Sequence, residues 1–597
     1  MDIPNRITKL RSLMEEHQMD AYLIPSADNH QSEYVGEHFM ARQFISGFTG
    51  SAGTVFITKD EAGLLVDGRY VIQAEKQLQG SGIKLFQVDN AGVQTVAEYL
   101  RQVIPNNGTL GFDGRVISMQ EGKHLESALL EKRVKLVDSI DLTDSVWEDR
   151  PALSDQPVFS LDEKYTGENT KSKLERVRKA MEQEQATAHI ITTLDDVAWL
   201  VNLRGKDVKY YPLFLCYAIV RMDRMDLFID ERKLSAEIRA KLESDGIHIL
   251  PYNDIYSAIK ELDVDETVLI DPNRINYALY NSIPKQVSTV TKDNPTVLFK
   301  AMKNEVEIKN IKNAHVKDGI AVTKFMYWLK NNLGKIKVTE MSASDKLEEF
   351  RRQQDGYLWI GFAPICAYKE HAAMAHYSAT EESNAELLPG HFFLADTGGN
   401  YYEGSNDMTR TFALGTISDE LKTDFTTVLR AMINLSKVKF LHGCTGYNLD
   451  ILARQPLWER SMDYKHGTGH GIGYLLSVHE GPAEFRWQIN ADKLESNILQ
   501  NGMVITNEPG IYIQGSHGIR IENEMLVRKG PENEYGQFMY LEPITYAPID
   551  LDAIVPEQLS LEEKQYLNWY HQLVYDTIAP HLTDEEVDWL KSYTREI

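Results

Sequence analysis

"LRSLMEEHQMDAYLI" (residues 10–24) and "VRKAMEQEQATAHII" (residues 177–191) align without a gap. Arg11 falls on Arg178, Met14 on Met181, Glu15 on Glu182, Gln18 on Gln185 and Ala21 on Ala188. Each stretch carries the period of an amphipathic helix and then runs into a short apolar strand. Any two helix-to-strand junctions share part of this pattern. The gapless pairing goes further and predicts two related α/β domains in tandem.

Working outward, prolines and charges break the periodicity at "SVWEDRPALSDQP" (145–157), and a second break falls at "KDNPTVLFKAMKNEVEIKNIKNAH" (292–315), where a long helical pattern opens. The domains expected are therefore 1–155, 156–302 and 303–597. A chain of 597 residues is too long for a single core and accommodates this division. The last stretch, from Leu559 to Thr594, reads as two helices with aromatic stripes suited to packing.

Composition narrows the function. Hydrophobic residues make up 43% and charged residues 25%, as in ordinary globular proteins. The 63 basic and 88 acidic residues leave a net charge of -25, which argues against wrapping nucleic acid. Three scattered cysteines, Cys216, Cys366 and Cys444, form neither a disulfide framework nor a C-x-x-C knuckle. The first residues, "MDIPNRITKLRSLMEEHQMDAYLIP", carry acidic residues where a signal peptide needs an apolar core, and no run is long enough to span a bilayer. A cytoplasmic protein with no membrane association is expected.

The chemistry concentrates in the third region. "GIRIENEMLV" (518–527) alternates Ile519, Ile521, Met525 and Val527 with Arg520, Glu522 and Glu524, so that three charges project from one side of a core-like strand. "HFFLADTGGNYYEGSNDMTRTFALG" (391–415) reads as a hairpin with Asp396 and Asp407 on opposite runs. Facing carboxylates repel unless a cation lies between them or one is protonated. "HGTGHGIGYLLSVHEGP" (466–482) places His466, His470 and His479 among glycines that let backbone approach closely, and "VITNEPGIYI" (504–513) ends an apolar run on Glu508. Singly, these are turn caps, structural histidines or solvated strand edges. Together, Asp396, Asp407, His470, Glu508 and Glu522 are a donor set for two divalent ions such as Mn²⁺, Co²⁺ or Zn²⁺. The chain lacks a phosphate-loop Lys-Ser/Thr pair, a G-x-S-x-G elbow and an H-E-x-x-H helix.

"DTGGNYYEGSNDMTRTF", "HGTGHGIGYLLSVHEGP", "TNEPGIYI" and "GIRIENEMLV" resemble the metal-binding segments of the pita-bread metallopeptidases. Within these the chain resembles the Xaa-Pro aminopeptidase (aminopeptidase P) family in its long, three-domain cytosolic form. "IPSADNHQSEYVGEHFMARQFISGFTGSAGTVFIT" and "LLVDGRYVIQAEKQL" look like that form's first domain, and "LDDVAWLVNLRGKDVKYYPLF" like its second. The fold so implied is α/β (α+β), with two related N-terminal α/β domains before a pita-bread catalytic domain. The resemblance implies two divalent ions, Mn²⁺ first and Zn²⁺ or Co²⁺ as alternatives. Asp396 and Asp407 would hold one, Asp407 and Glu522 would bridge, and His470 and Glu508 would complete the other shell.

In the family a metal-bridging water attacks the carbonyl before proline, and the glutamate matching Glu508 transfers the protons. His376, in "AMAHYSA", and His479 match residues that hold the substrate carbonyl and its oxyanion. His466 matches a residue lining the proline pocket. Arg520 and Tyr512 read as groups orienting a ligand, and Arg69 in "DGRY" matches a first-domain arginine that reaches the peptide. Glu524 receives no role beyond a supporting hydrogen bond. Ser405 and Asn406 depart from the usual Thr-Thr pair without removing a ligand. The substrates implied are short peptides beginning Xaa-Pro, and the assembly a homodimer. The alternatives are a prolidase, which generally has one N-terminal domain, and a non-catalytic pita-bread module, which typically loses ligands.

Overall fold

The computed structural model describes residues 1–87, 95–488 and 498–597. The chain divides into two compact units, one of residues 1–160 and 168–296, the other of residues 161–167 and 297–597.

The first unit contains two six-stranded sheets built alike. One has strands Ala21–Pro25, Thr54–Thr58, Ala62–Val66, Lys84–Gln87, Thr109–Phe112 and Lys135–Val137. The other has Ala188–Ile191, Cys216–Arg221, Met225–Ile229, Ile247–Leu250, Thr267–Ile270 and Ser288–Thr291. In both, the spatial order is fourth, third, second, first, fifth, sixth, with the second strand antiparallel to its neighbours and the other pairings parallel.

The likeness extends to single residues. Helices Ile3–Glu16 and Thr170–Gln183 are each 14 residues long and begin at matched caps, Asp2 accepting from the Asn5 N–H and Asn169 from the Ser172 N–H. Met14 and Met181 are buried. Gln18 and Gln185 both take the left-handed conformation, at φ 56°, that turns each helix into its strand. Arg11 Nε donates to Thr58 O at 2.9 Å and Arg178 Nε to Arg221 O at 2.9 Å, in each case at the end of the strand paired with the first.

In the second unit, helix Glu305–Asn332 and helix Glu340–Arg352 cover one face of the strands His391–Thr397 and Met408–Leu414, where Phe325, Leu347, Phe393 and Phe412 share a core. Helix Asp419–Ser436 packs on a second core with Ile505, Ile519, Ile521, Met525 and Val527. The apolar half of the 518–527 alternation therefore faces this helix. The stretch is not one continuous strand, however. It is His517–Arg520, paired with Gly510–Ile513, followed by Asn523–Asn533, paired with Val504–Asn507 and Gly536–Pro543. Ile521 and Glu522 form the corner at which the chain changes partners. Among the described residues no helix is long and apolar enough to cross a membrane.

Met525→Ala removes a fully buried side chain from the core face and should cost about 2–4 kcal/mol in urea denaturation of the second unit. Its metal content by atomic emission should not change, because the side chain points away from the charged face.

Candidate metal centre

Strand register brings the first two carboxylates to one face. Asp396 lies opposite Thr409, and opposed residues on antiparallel strands share a side. Asp407, two residues before Thr409, lies on that side too. The link between the strands is more than the turn expected from sequence. It folds into its own ribbon, Gly399–Tyr401 against Gly404–Ser405. Ser405 Oγ donates to Asn400 Oδ1 at 2.6 Å, and Asn406 Oδ1 accepts from the Gly399 N–H at 2.7 Å, so both residues serve the ribbon.

Glu522, at the corner, is pulled against the same strands. Its N–H donates to Thr409 O at 3.1 Å, and its Oε2 accepts from Thr409 Oγ1 at 2.7 Å. Glu524 accepts the Asp407 N–H at 2.6 Å through Oε1, and its Oε2 lies 3.0 Å from His315 Nε2. The side chain that sequence could not place thus holds the backbone of Asp407.

His470 and Glu508 arrive together. Glu508 N–H donates to Thr468 O at 2.8 Å, and His470 N–H donates to Thr506 Oγ1 at 3.0 Å. A Cβ at Gly469 would come within 1.8 Å of Thr506 O, so only glycine permits this approach. His470 Nδ1 lies 3.1 Å from Gly471 O, which makes it the protonated nitrogen and leaves the Nε2 lone pair facing Asp407 Oδ2 at 3.6 Å and Glu508 Oε1 at 3.5 Å.

Three interlocking triples result, each with its donor atoms within 4.8 Å of one another: Asp396, Asp407 and Glu522; His470, Glu508 and Glu522; Asp407, His470 and His479. Lone pairs face lone pairs, which only cations or protons can reconcile. Two buried oxygens, Asp396 Oδ1 and Glu522 Oε1, accept no hydrogen bond among the described residues. The donor set and its orphaned oxygens fit hard or borderline divalent ions. In their absence, burial and the repulsion of Glu522, Asp396 and Glu508 hold the Asp407 carboxyl well above the usual range. Burial, followed by Glu508 and Asp396, does the same to Glu522. Burial pushes Glu508 up to about 7, against the opposing pull of Arg520.

Around this group Arg520 Nη2 pairs with Asp396 Oδ2, and its Nη1 donates to the Tyr512 hydroxyl oxygen (Oη) at 2.6 Å. Tyr512 O–H in turn donates to His466 Nε2 at 2.9 Å. The ring of His479 stands edge-on to that of His470, with centroids 4.2 Å apart. Ala375 O lies 3.4 Å from Arg520 Nη2, which sets the segment carrying His376 beside that guanidinium. Arg69 belongs to the first unit, where its Nε and Nη2 both donate to Asp67, at 2.9 and 2.7 Å.

Sequence reading missed Thr409 and Arg410. Arg410, buried, donates to Glu522 O, to Asn523 Oδ1 at 2.7 Å and to the Tyr570 hydroxyl oxygen (Oη) at 2.9 Å, so that one aromatic of the C-terminal helices steadies the Glu522 corner. Only their position before a hydrophobic strand run, "TRTF", hinted at either.

Relatives of known identity match over the whole chain. A probable Xaa-Pro aminopeptidase P of Laccaria bicolor is 38% identical over 98% of this chain and 92% of its own. The chain belongs to the M24 metallopeptidases, in the aminopeptidase P group. The model for metallopeptidase family M24 matches residues 309–529, and that for its C-terminal region residues 537–597. Creatinase/Prolidase N-terminal domain models match twice, at 6–146 and 149–307. Aminopeptidase P1 of Arabidopsis thaliana is 35% identical over 99% of each chain. The crystal structure of the X-prolyl aminopeptidase of Caenorhabditis elegans, described as a cytosolic enzyme with a di-nuclear active site, superimposes with a TM-score of 0.96 at 33% identity over 100% of both chains. The duplicated α/β domains are therefore the creatinase-type pair of this family, and the second unit carries its pita-bread fold.

A carboxyl whose folded pKa lies above its unfolded value of about 4 contributes stability below that value and loses it as pH rises through the folded pKa. Glu508 does so through about 7, and Arg520 opposes the shift. Arg520→Met should therefore destabilise chelator-treated protein by about 3–5 kcal/mol. The loss in thermal midpoint should be larger at pH 8 than at pH 6.

Proposed function

We propose that this protein is a metal-dependent aminopeptidase that releases the first residue from peptides with proline in second position. The observation that carries this reading is the convergence of Asp396, Asp407, His470, Glu508 and Glu522, with two buried lone pairs unsatisfied, in a chain whose full-length relatives are named Xaa-Pro aminopeptidases. Asp396 and Asp407 would hold one ion and His470 and Glu508 the other, with Asp407 and Glu522 serving both. Asp407 and Glu522 each belong to two of the donor triples, as a shared role requires, and His470 does as well. A carboxylate-rich set with one imidazole favours Mn²⁺, with Zn²⁺ or Co²⁺ able to substitute. The three domains are taken as 1–155, 156–302 and 303–597.

Paired divalent ions supply an attacking hydroxide near neutral pH and neutralise charge in the transition state. Glu508 takes the proton of the attacking water and returns it to the leaving proline nitrogen. His376 and His479 hold the scissile carbonyl and donate to its developing oxyanion, an effect worth roughly 3 kcal/mol for each donor. Arg520 fixes Asp396 and, through Tyr512, orients His466 at the proline side chain. Arg69 is assigned to the peptide. The Creatinase/Prolidase N-terminal match occurring twice favours this reading over a prolidase, for which one such domain is general. A cytoplasmic location, in keeping with the cytosolic C. elegans relative, and a homodimer complete the proposal.

An Xaa-Pro-Xaa tripeptide should be cleaved at least tenfold faster than an Xaa-Pro dipeptide. Chelator should abolish cleavage, and Mn²⁺ should restore it. Preference for the dipeptide would establish a prolidase instead. Asp407→Ala should lose bound metal and all turnover, whereas Glu508→Gln should lower kcat by about a thousandfold or more. Because burial raises the proton affinity of Asp407, Glu522 and Glu508, the last to about 7, metal binding should release protons and tighten as pH rises through about 7, as calorimetry in two buffers of different ionisation enthalpy would read.

A further inference from the structure

Helix Glu340–Arg352 is capped by Thr339, whose side chain accepts from the Ser342 N–H. The carboxylate of Glu340, the first residue of the helix, is therefore not used on the helix itself. It is fully buried, and among the described residues no lysine or arginine pairs with it. It collects donors from one segment instead. Oε1 accepts from the Tyr368 N–H at 2.7 Å and from His371 Nδ1 at 2.9 Å; Oε2 accepts from the Tyr377 O–H at 2.9 Å and the Ala385 N–H at 3.0 Å. One carboxylate thus ties together both ends of residues 368–385, along with Tyr377, the neighbour of His376. The far end is fastened a second time, since the Glu340 N–H donates to Ala385 O at 3.0 Å.

The opposite side of the segment rests on the site wall. A Cβ at Gly518 would fall 1.7 Å from Ala372 O, and Arg520 reaches Ala375 O at 3.4 Å. The chain around His376 is held between a buried carboxylate and the strand that leads to Glu522.

We propose that Glu340 is a positioning residue for the reaction: it clamps the 368–385 segment so that His376 is presented to the metal centre. This rests on the reading of His376 given above. A charge removed from water is costly unless fully hydrogen-bonded, so the four donors and the carboxylate hold one another in a single geometry. Displacement of a catalytic group by about 1 Å can cost on the order of a hundredfold in rate.

The test uses the full-length, metal-loaded protein. In Glu340→Gln one oxygen becomes an amide that cannot accept, and two donors lose their partner whichever way it turns. Hydrogen exchange of amides within 368–385 should quicken. Bound metal should stay at the wild-type level, kcat should fall by roughly ten- to a hundredfold, and KM should stay within about threefold. Tyr377→Phe, which removes one donor only and leaves the fold least disturbed, should give a smaller loss of the same kind. In a His376→Ala background neither change should lower kcat by more than about threefold, because the group being positioned is gone. Unchanged exchange in Glu340→Gln, or its full loss repeated in the His376→Ala background, overturns the proposal. Failure of the wild-type protein to cleave Xaa-Pro peptides would instead overturn the functional reading, and the exchange measurement would still judge the clamp.

Discussion

Four carboxylates and the Nε2 of an imidazole share a space in which acceptors face one another. Burial deprives them of water, and their mutual repulsion then raises the proton affinity of Asp407, Glu522 and Glu508 rather than dispersing the side chains. A fold can hold such a group only if the backbones beneath it are fixed by other means and if cations take up the charge. The first condition is visible. Thr409, Arg410, Thr506 and Glu524 bond the main chain or outer oxygens of Asp407, His470 and Glu522, the candidate ligands.

The supporting layer is graded in charge. Arg520 gives a full positive charge to Asp396 and so lowers the cost of assembling the site before metal arrives. Arg410 spends its guanidinium on carbonyls and on Asn523 and Tyr570, steadying the corner without occupying the side-chain oxygens of Glu522. His315 stands behind Glu524 and Glu340 behind the His376 segment, each buried and each acting through a neighbour. Buried polar groups of this kind remain because they specify one geometry, even where apolar residues would be as stable.

The first unit shows a different economy. A helix, a left-handed glutamine and an antiparallel strand pair recur with matched caps and matched arginine contacts. Duplicating a unit whose local rules are already consistent yields two sheets of the same strand order. The candidate site of the second unit is joined by contacts between segments more than a hundred residues apart, such as Thr409 and Glu522.

What the sequence by itself determined is what short-range periodicity encodes: the repeated helix-to-strand junction, the alternation that sends Ile519, Ile521, Met525 and Val527 to the core and Arg520, Glu522 and Glu524 away from it, and the types of donor offered to metal. Alternation depends only on the two-residue period of a strand, so it is legible without coordinates. Tertiary structure alone decided that the 518–527 stretch breaks at Ile521 and Glu522, that the 396–407 link carries its own ribbon, and that Thr409, Arg410, Glu524 and Glu340 serve the site. Each of these depends on register between strands or on a helix start meeting a distant loop. Such contacts arise when separate elements dock, and leave no periodic trace along the chain.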